Sequence, residues 1–131
     1  MADLARRWNV HVERRSETDT SLLAFGTRVG RAVVLKVIKP LGEGGEWRAG
    51  EVLRAFDGRG AVRVLEFIDG AVPLERATPG HSLVTLVEDG RDVEATAILA
   101  DVIARMSGTG PPDGCPTFHD RGRSFQPTSR R

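Results

Sequence analysis

The apolar run Ala32-Val33-Val34-Leu35-Lys36-Val37-Ile38 is rich in β-branched residues and carries a single lysine near its middle. This composition predicts a strand near the centre of a sheet, ended by Pro40. Alternation puts Leu35 and Val37 on one side and Lys36 with Ile38 on the other. A buried ammonium is costly without a partner, so Lys36 either sits at a solvated strand edge or answers an opposing charge. Two shorter alternating stretches precede this run: Val10–Glu13, half-exposed, and Leu22–Thr27. The polar segment Ser16–Ser21 reads as the turn between them, and Arg28–Arg31 reads as the hairpin into the lysine strand, with Gly30 taking the left-handed conformation. Downstream, Ala61–Ile68 and Ala71–Glu75 flank the turn Asp69-Gly70 as a second hairpin. Pro73 has no N–H, which leaves one side of the returning strand unpaired or at an edge.

Helical spacing appears in four places. Leu4 and Trp8 lie at i and i+4 within residues 2–9 and would pack inward. After the glycine-rich stretch 41–45, a helix is expected over Glu46–Phe56, capped at Asp57-Gly58. On it Glu46, Ala49, Gly50, Leu53 and Phe56 share one face, and Glu51 lies well round the cylinder. Ser82 can cap a short helix over Leu83–Val87. From Asp92 to Met106, Ala95, Ile98, Leu99, Val102, Ile103 and Met106 recur every three or four residues, an amphipathic helix whose stripe needs something to pack against. Thr78-Pro79-Gly80 breaks the chain before these helices, and nothing periodic follows Gly108. The fold class is α+β, an antiparallel sheet with one packed helix followed by further helices.

Bulk properties narrow the range of functions. A chain of 131 residues with 40% hydrophobic residues suits about one domain with a modest core. The net charge of +1 provides no field to draw in nucleic acid, and the tail arginines Arg121, Arg123, Arg130 and Arg131 lack aromatic stacking platforms. Cys115 is the sole cysteine, so no internal disulfide is expected. No signal-peptide core or bilayer-length apolar run is present, so a cytoplasmic location and no membrane role are expected. The three histidines and one cysteine have no metal-ligand spacing, and His11 reads as a solvated strand residue.

Strand lysine, glycine-rich turn, acidic helix, two strands and a connector follow the order of a protein-kinase-like small lobe. At finer grain, the segments Ser16–Ser21, Val33–Val37, Val52–Leu65, Leu74–Gly80 and Asp89–Thr96 together resemble the aminoglycoside/hydroxyurea antibiotic-resistance kinase family, typified by streptomycin 6-kinases. The resemblance covers roughly residues 5 to 125 and only the first half of such an enzyme. It implies a kinase-like small lobe with its hinge over 1–77, a helical start of the large lobe over 78–107, and a loop and disordered tail over 108–131.

The resemblance also implies a nucleotide site. Lys36 would contact phosphate and pair with Glu46 or Glu51; the family often carries this acid where Ala49-Gly50 stands here. A Ser/Thr loop with Thr20 and Ser21 would take the place of a Gly-x-Gly-x-x-Gly, Leu74 would lie beside the base, and the Glu75 carbonyl and Ala77 N–H would read adenine. The family's His-Gly-Asp segment and later metal-binding aspartate have no counterpart here, since Asn9 is the only asparagine and His119-Asp120 lacks the glycine. The chain is therefore expected to be an N-terminal ATP-binding fragment of an aminoglycoside O-phosphotransferase. Alone it should be inactive, with weak or absent ATP binding and Mg²⁺ used only by the complete enzyme. The alternative is a non-catalytic interaction module that self-associates through the 92–106 helix.

Overall fold

A computed structural model describes residues 1–39, 49–113 and 115. Four antiparallel strands, β1 (His11–Glu17), β2 (Ser21–Arg28), β3 (Arg31–Ile38) and β4 (Ala71–Glu75), form one sheet in the order β1-β2-β3-β4. Helix α1 (Ala2–Arg7) precedes them, α2 (Ala49–Phe56) lies between β3 and β4, and α3 (Leu83–Glu88) and α4 (Asp92–Met106) follow. The mixed α+β class expected from the sequence is what the chain adopts.

Direct pairing across the ladder assigns every side chain to a face. Ala24, Leu35 and Pro73 fall in one row and Gly26, Val33 and Glu75 in the next. This face forms the core: α1 lays Ala5 and Trp8 over it, with Val10, Ala24, Val33, Leu35 and Ala71 buried together. Leu35 is fully buried and Trp8 only 3% exposed, so the tryptophan acts as packing, as its i, i+4 relation to Leu4 predicts. The opposite face carries Leu23, Lys36 and Val72 in one row and Phe25, Val34 and Leu74 in another.

Two places in the sheet make special demands, one of space and one of backbone conformation. A Cβ on Gly26 would collide with the His11 carbonyl oxygen, beside the irregularity between Val12 and Arg14 where β1 presses against β2. At the β2–β3 turn both Val29 (φ 48) and Gly30 (φ 73) are left-handed, the pattern of a tight primed hairpin turn.

The structure departs from the sequence reading in three places. Ser16 and Glu17 belong to β1 and Ser21 to β2, because Ser16↔Leu23 and Glu17↔Leu22 continue the ladder past the expected turn. Residues 61–68 do not form a full strand; they touch β4 only at the bridges Val64↔Leu74 and Ile68↔Ala71. Leu65 N–H donates to the Pro73 carbonyl at 3.0 Å, and proline has no N–H to return the bond, so the ladder stops growing there. Third, α1 ends at Arg7, two residues before the expected helix does.

The expected start of the second helix, 46–48, lies outside the described residues. Asp57 (φ 45) and Gly58 (φ 80) end α2 in left-handed conformations. Helix α3 is capped by the Ser82 hydroxyl accepting from the Val84 N–H at 3.2 Å. Helix α4 has the bounds that its periodicity predicts.

Candidate nucleotide face and its family

Lys36 occupies the face of β3 turned away from α1. Its cross-strand neighbours are Leu23 on β2 and Val72 on β4, and the next row toward the hairpin adds Phe25, Val34 and Leu74. Val72 and Leu74 are buried, whereas Lys36 is half-buried. The lysine stem can lie along this apolar surface with its ammonium at the rim. Helix α2 approaches β4, and a Cβ on Gly50 would sit 2.7 Å from Phe67. Phe67 thus lies against α2, with the Arg54 guanidinium 4.9 Å from its ring centre. Both Lys36 and Glu51, the half-buried acid in the first turn of α2, are engaged with partners. Glu46 lies outside the described residues.

The β1–β2 connection is tied to the end of β3 by one residue that the sequence reading did not single out. Lys39 donates its backbone N–H to the Thr20 carbonyl (2.8 Å) and its Nζ to the Thr18 carbonyl (2.7 Å), and its ammonium pairs with Glu17 at 2.5 Å. Thr18 Oγ1 accepts from the Ser21 N–H at 3.0 Å and closes the turn from within. Thr20 is exposed at the tip, whereas Ser21 is 1% exposed with its hydroxyl 3.5 Å from Thr20 Oγ1. The only sequence signal for Lys39 was its place at the strand end beside Pro40.

At the other end of the face, Leu74 is buried while Glu75 and Ala77 are exposed. Arg76 N–H donates to the Ala32 carbonyl at 3.2 Å, so the Glu75 backbone points the other way, and its N–H donates to the Arg63 carbonyl at 2.9 Å. The Leu74 and Ser21 rows pair with Val34 and Ile38 of β3, roughly 13 Å apart along the strand, with Lys36 midway. The register thus puts Ser21, Lys36 and Leu74 on one face of the sheet, with Ser21 and Leu74 buried, Lys36 half-buried and Thr20 at the exposed tip of the adjoining turn. Among the described residues no group of three or more His, Cys, Asp or Glu side chains could hold a metal ion, and no helix is long and apolar enough to cross a membrane.

The profile of the Aminoglycoside/hydroxyurea antibiotic resistance kinase family matches residues 7–128. The chain belongs to that family. It is similar to a streptomycin 3''-kinase of Klebsiella pneumoniae, 38% identical over 81 residues that cover 60% of this chain and 29% of that protein. It is also similar to a hydroxyurea phosphotransferase of Kitasatospora aureofaciens, 36% identical over 121 residues, 87% of this chain and 34% of that protein. The matched region therefore spans about a third of either relative. The match establishes the family and not the 6-kinase subtype. No solved structure matches the chain.

Proposed function

We propose that this chain is the nucleotide-binding part of a small-molecule phosphotransferase. The observation that carries the reading is the position of Lys36: half-buried, on an apolar sheet face, between an exposed threonine turn and the exposed Glu75–Ala77 connector. These residues fit a nucleoside triphosphate. Leu23, Val34 and Leu74 offer an apolar bed for a base, the Glu75 carbonyl and Ala77 N–H its polar edge, and the Lys36 ammonium and Thr20 hydroxyl donate to phosphoryl oxygens. Ser21, buried as it is, contributes by shaping the turn, and Lys39 holds that turn over the end of β3. The nucleotide supplies the transferable γ-phosphoryl group. The acid that orients Lys36 is Glu51 or Glu46.

The chain's own residues bind and orient but do not complete the transfer, because the acceptor-orienting aspartate and the asparagine that follows it in this class of reaction have no counterpart in the sequence. In a complete enzyme the acceptor would be an aminoglycoside-like small molecule. Calorimetric titration with ATP tests the reading: saturable binding is expected, and Lys36→Met should weaken it by about tenfold, the loss of one charge-assisted phosphate contact. Equal binding by the variant would refute the assigned role. Phosphorylation of streptomycin by the purified chain would overturn the division between binding and transfer.

A second reading, self-association through α4, is favoured by the exposure of Ile98 (40%), Leu99 (50%) and Ile103 (54%) on one helix. Light scattering across a concentration series separates the two readings, since a monomer that binds ATP supports only the first.

A further inference from the structure

The opposite face of the sheet carries a second feature, unrelated to Lys36. Beyond the area covered by α1, at the hairpin end, a cleft of ≈ 910 Å³ is lined by Arg28, Arg31, Arg63 and Arg76 together with Glu75, Val33 and Leu65. These residues are far apart in sequence, and the register explains their meeting. Arg28 pairs with Arg31, Val33 with Glu75, and Arg63 lies against Glu75 through the 2.9 Å backbone bond. Arg31, Val33 and Glu75 share the face opposite Lys36, whereas Arg76 turns to Phe25 on the Lys36 side, so the cleft opens on the face opposite Lys36 and reaches the connector at Glu75 and Arg76.

The charges in the cleft do not cancel. Arg28 is held by Glu66 at 2.5 Å, and the guanidinium of Arg76 lies 5.6 Å from the Phe25 ring centre. Among the described residues, Arg31 and Arg63 have no carboxylate in ion-pair contact. On this face Arg28, Arg31 and Arg63 set against Glu75 and Glu66 leave a surplus of one positive charge. Guanidinium forks match the oxygens of phosphate, and the part-exposed Leu65 side chain gives the cleft an apolar floor. The volume lies within the ~300–1,000 Å³ usual for small-ligand sites. We propose that this cleft binds a phosphate monoester, the dianion taken between Arg31 and Arg63 and its organic body resting on Leu65. The proposal does not depend on the nucleotide reading, because neither Arg31 nor Arg63 is assigned to the nucleotide.

The test is calorimetric titration of the full chain with phenyl phosphate, and with benzoate as a monoanion of similar body. Expected are saturable one-to-one binding of phenyl phosphate, weaker binding of benzoate, and about a tenfold or greater loss in the Arg31→Ala/Arg63→Ala double variant. Affinity should also fall as salt rises, because the arginines are largely exposed. No saturable binding by the unaltered chain, or undiminished binding by the double variant, overturns the proposal. If circular dichroism shows the double variant unfolded, Arg31→Gln alone decides: it changes one exposed strand-end side chain, and unchanged phenyl phosphate affinity in it refutes the site.

Discussion

The α1-covered face of the sheet and the helix α4 start from equally regular apolar patterns and end differently. In the sheet, Ala24 and Leu35 are fully buried and Val33 nearly so, because α1 brings Trp8 and Ala5 down on them. In α4 only Ala95 is buried, while Ile98, Leu99 and Ile103 stay at least 40% exposed. The helix touches α3, and its last turn rests on Gly60, where a Cβ would meet Met106 Cγ at 2.7 Å. Periodicity therefore says which side of an element is apolar but not whether anything covers it. That depends on a partner element, and among the described residues the sheet has α1 whereas α4 has the shorter α3.

Substitutions can break this contrast, and the largest effect is expected in the sheet. Leu35→Ala removes a fully buried side chain from the centre of the core and should cost about 2–5 kcal/mol, read as a lower urea midpoint at constant slope. Next comes Gly26→Ala, which forces a methyl group against the His11 carbonyl and should cost about 1–3 kcal/mol through displacement of β1. Hydrogen exchange should then show β1 opening ahead of β3. The smallest change belongs to α4: Leu99→Ala is expected to stay within about 0.5–1 kcal/mol, since half of that side chain already faces solvent. A cost for Leu99→Ala comparable to that of Leu35→Ala would show α4 covered in solution and would erase the contrast.

Much of the fold was legible because it depends on local chemistry. The alternation around Lys36 assigned it correctly to the face opposite Leu35 and Val37, the Val29-Gly30 turn followed from the Arg28–Arg31 hairpin signal, and Ser82 capped α3 as its position suggests. For the candidate site residues, the structure decided exposure rather than role. Hydroxyl-rich composition made Ser21 look like a loop donor, yet pairing with Ile38 draws it into β2 and buries it. Lys39 carried no motif, although it makes three contacts that hold the turn. Residues 61–68 looked like a strand because their apolar content suits one, and the failure came from Pro73 on the neighbouring strand.

Sequence alone determined most of the elements, the side of β3 on which Lys36 stands, and the family, because those depend on side-chain period, turn chemistry and residue order. Tertiary structure decided which apolar faces are covered, which hydroxyls remain accessible, and that Arg28, Arg31 and Arg63 converge. Such outcomes depend on register between strands distant in the chain, where one residue of slip would send each side chain to the opposite face.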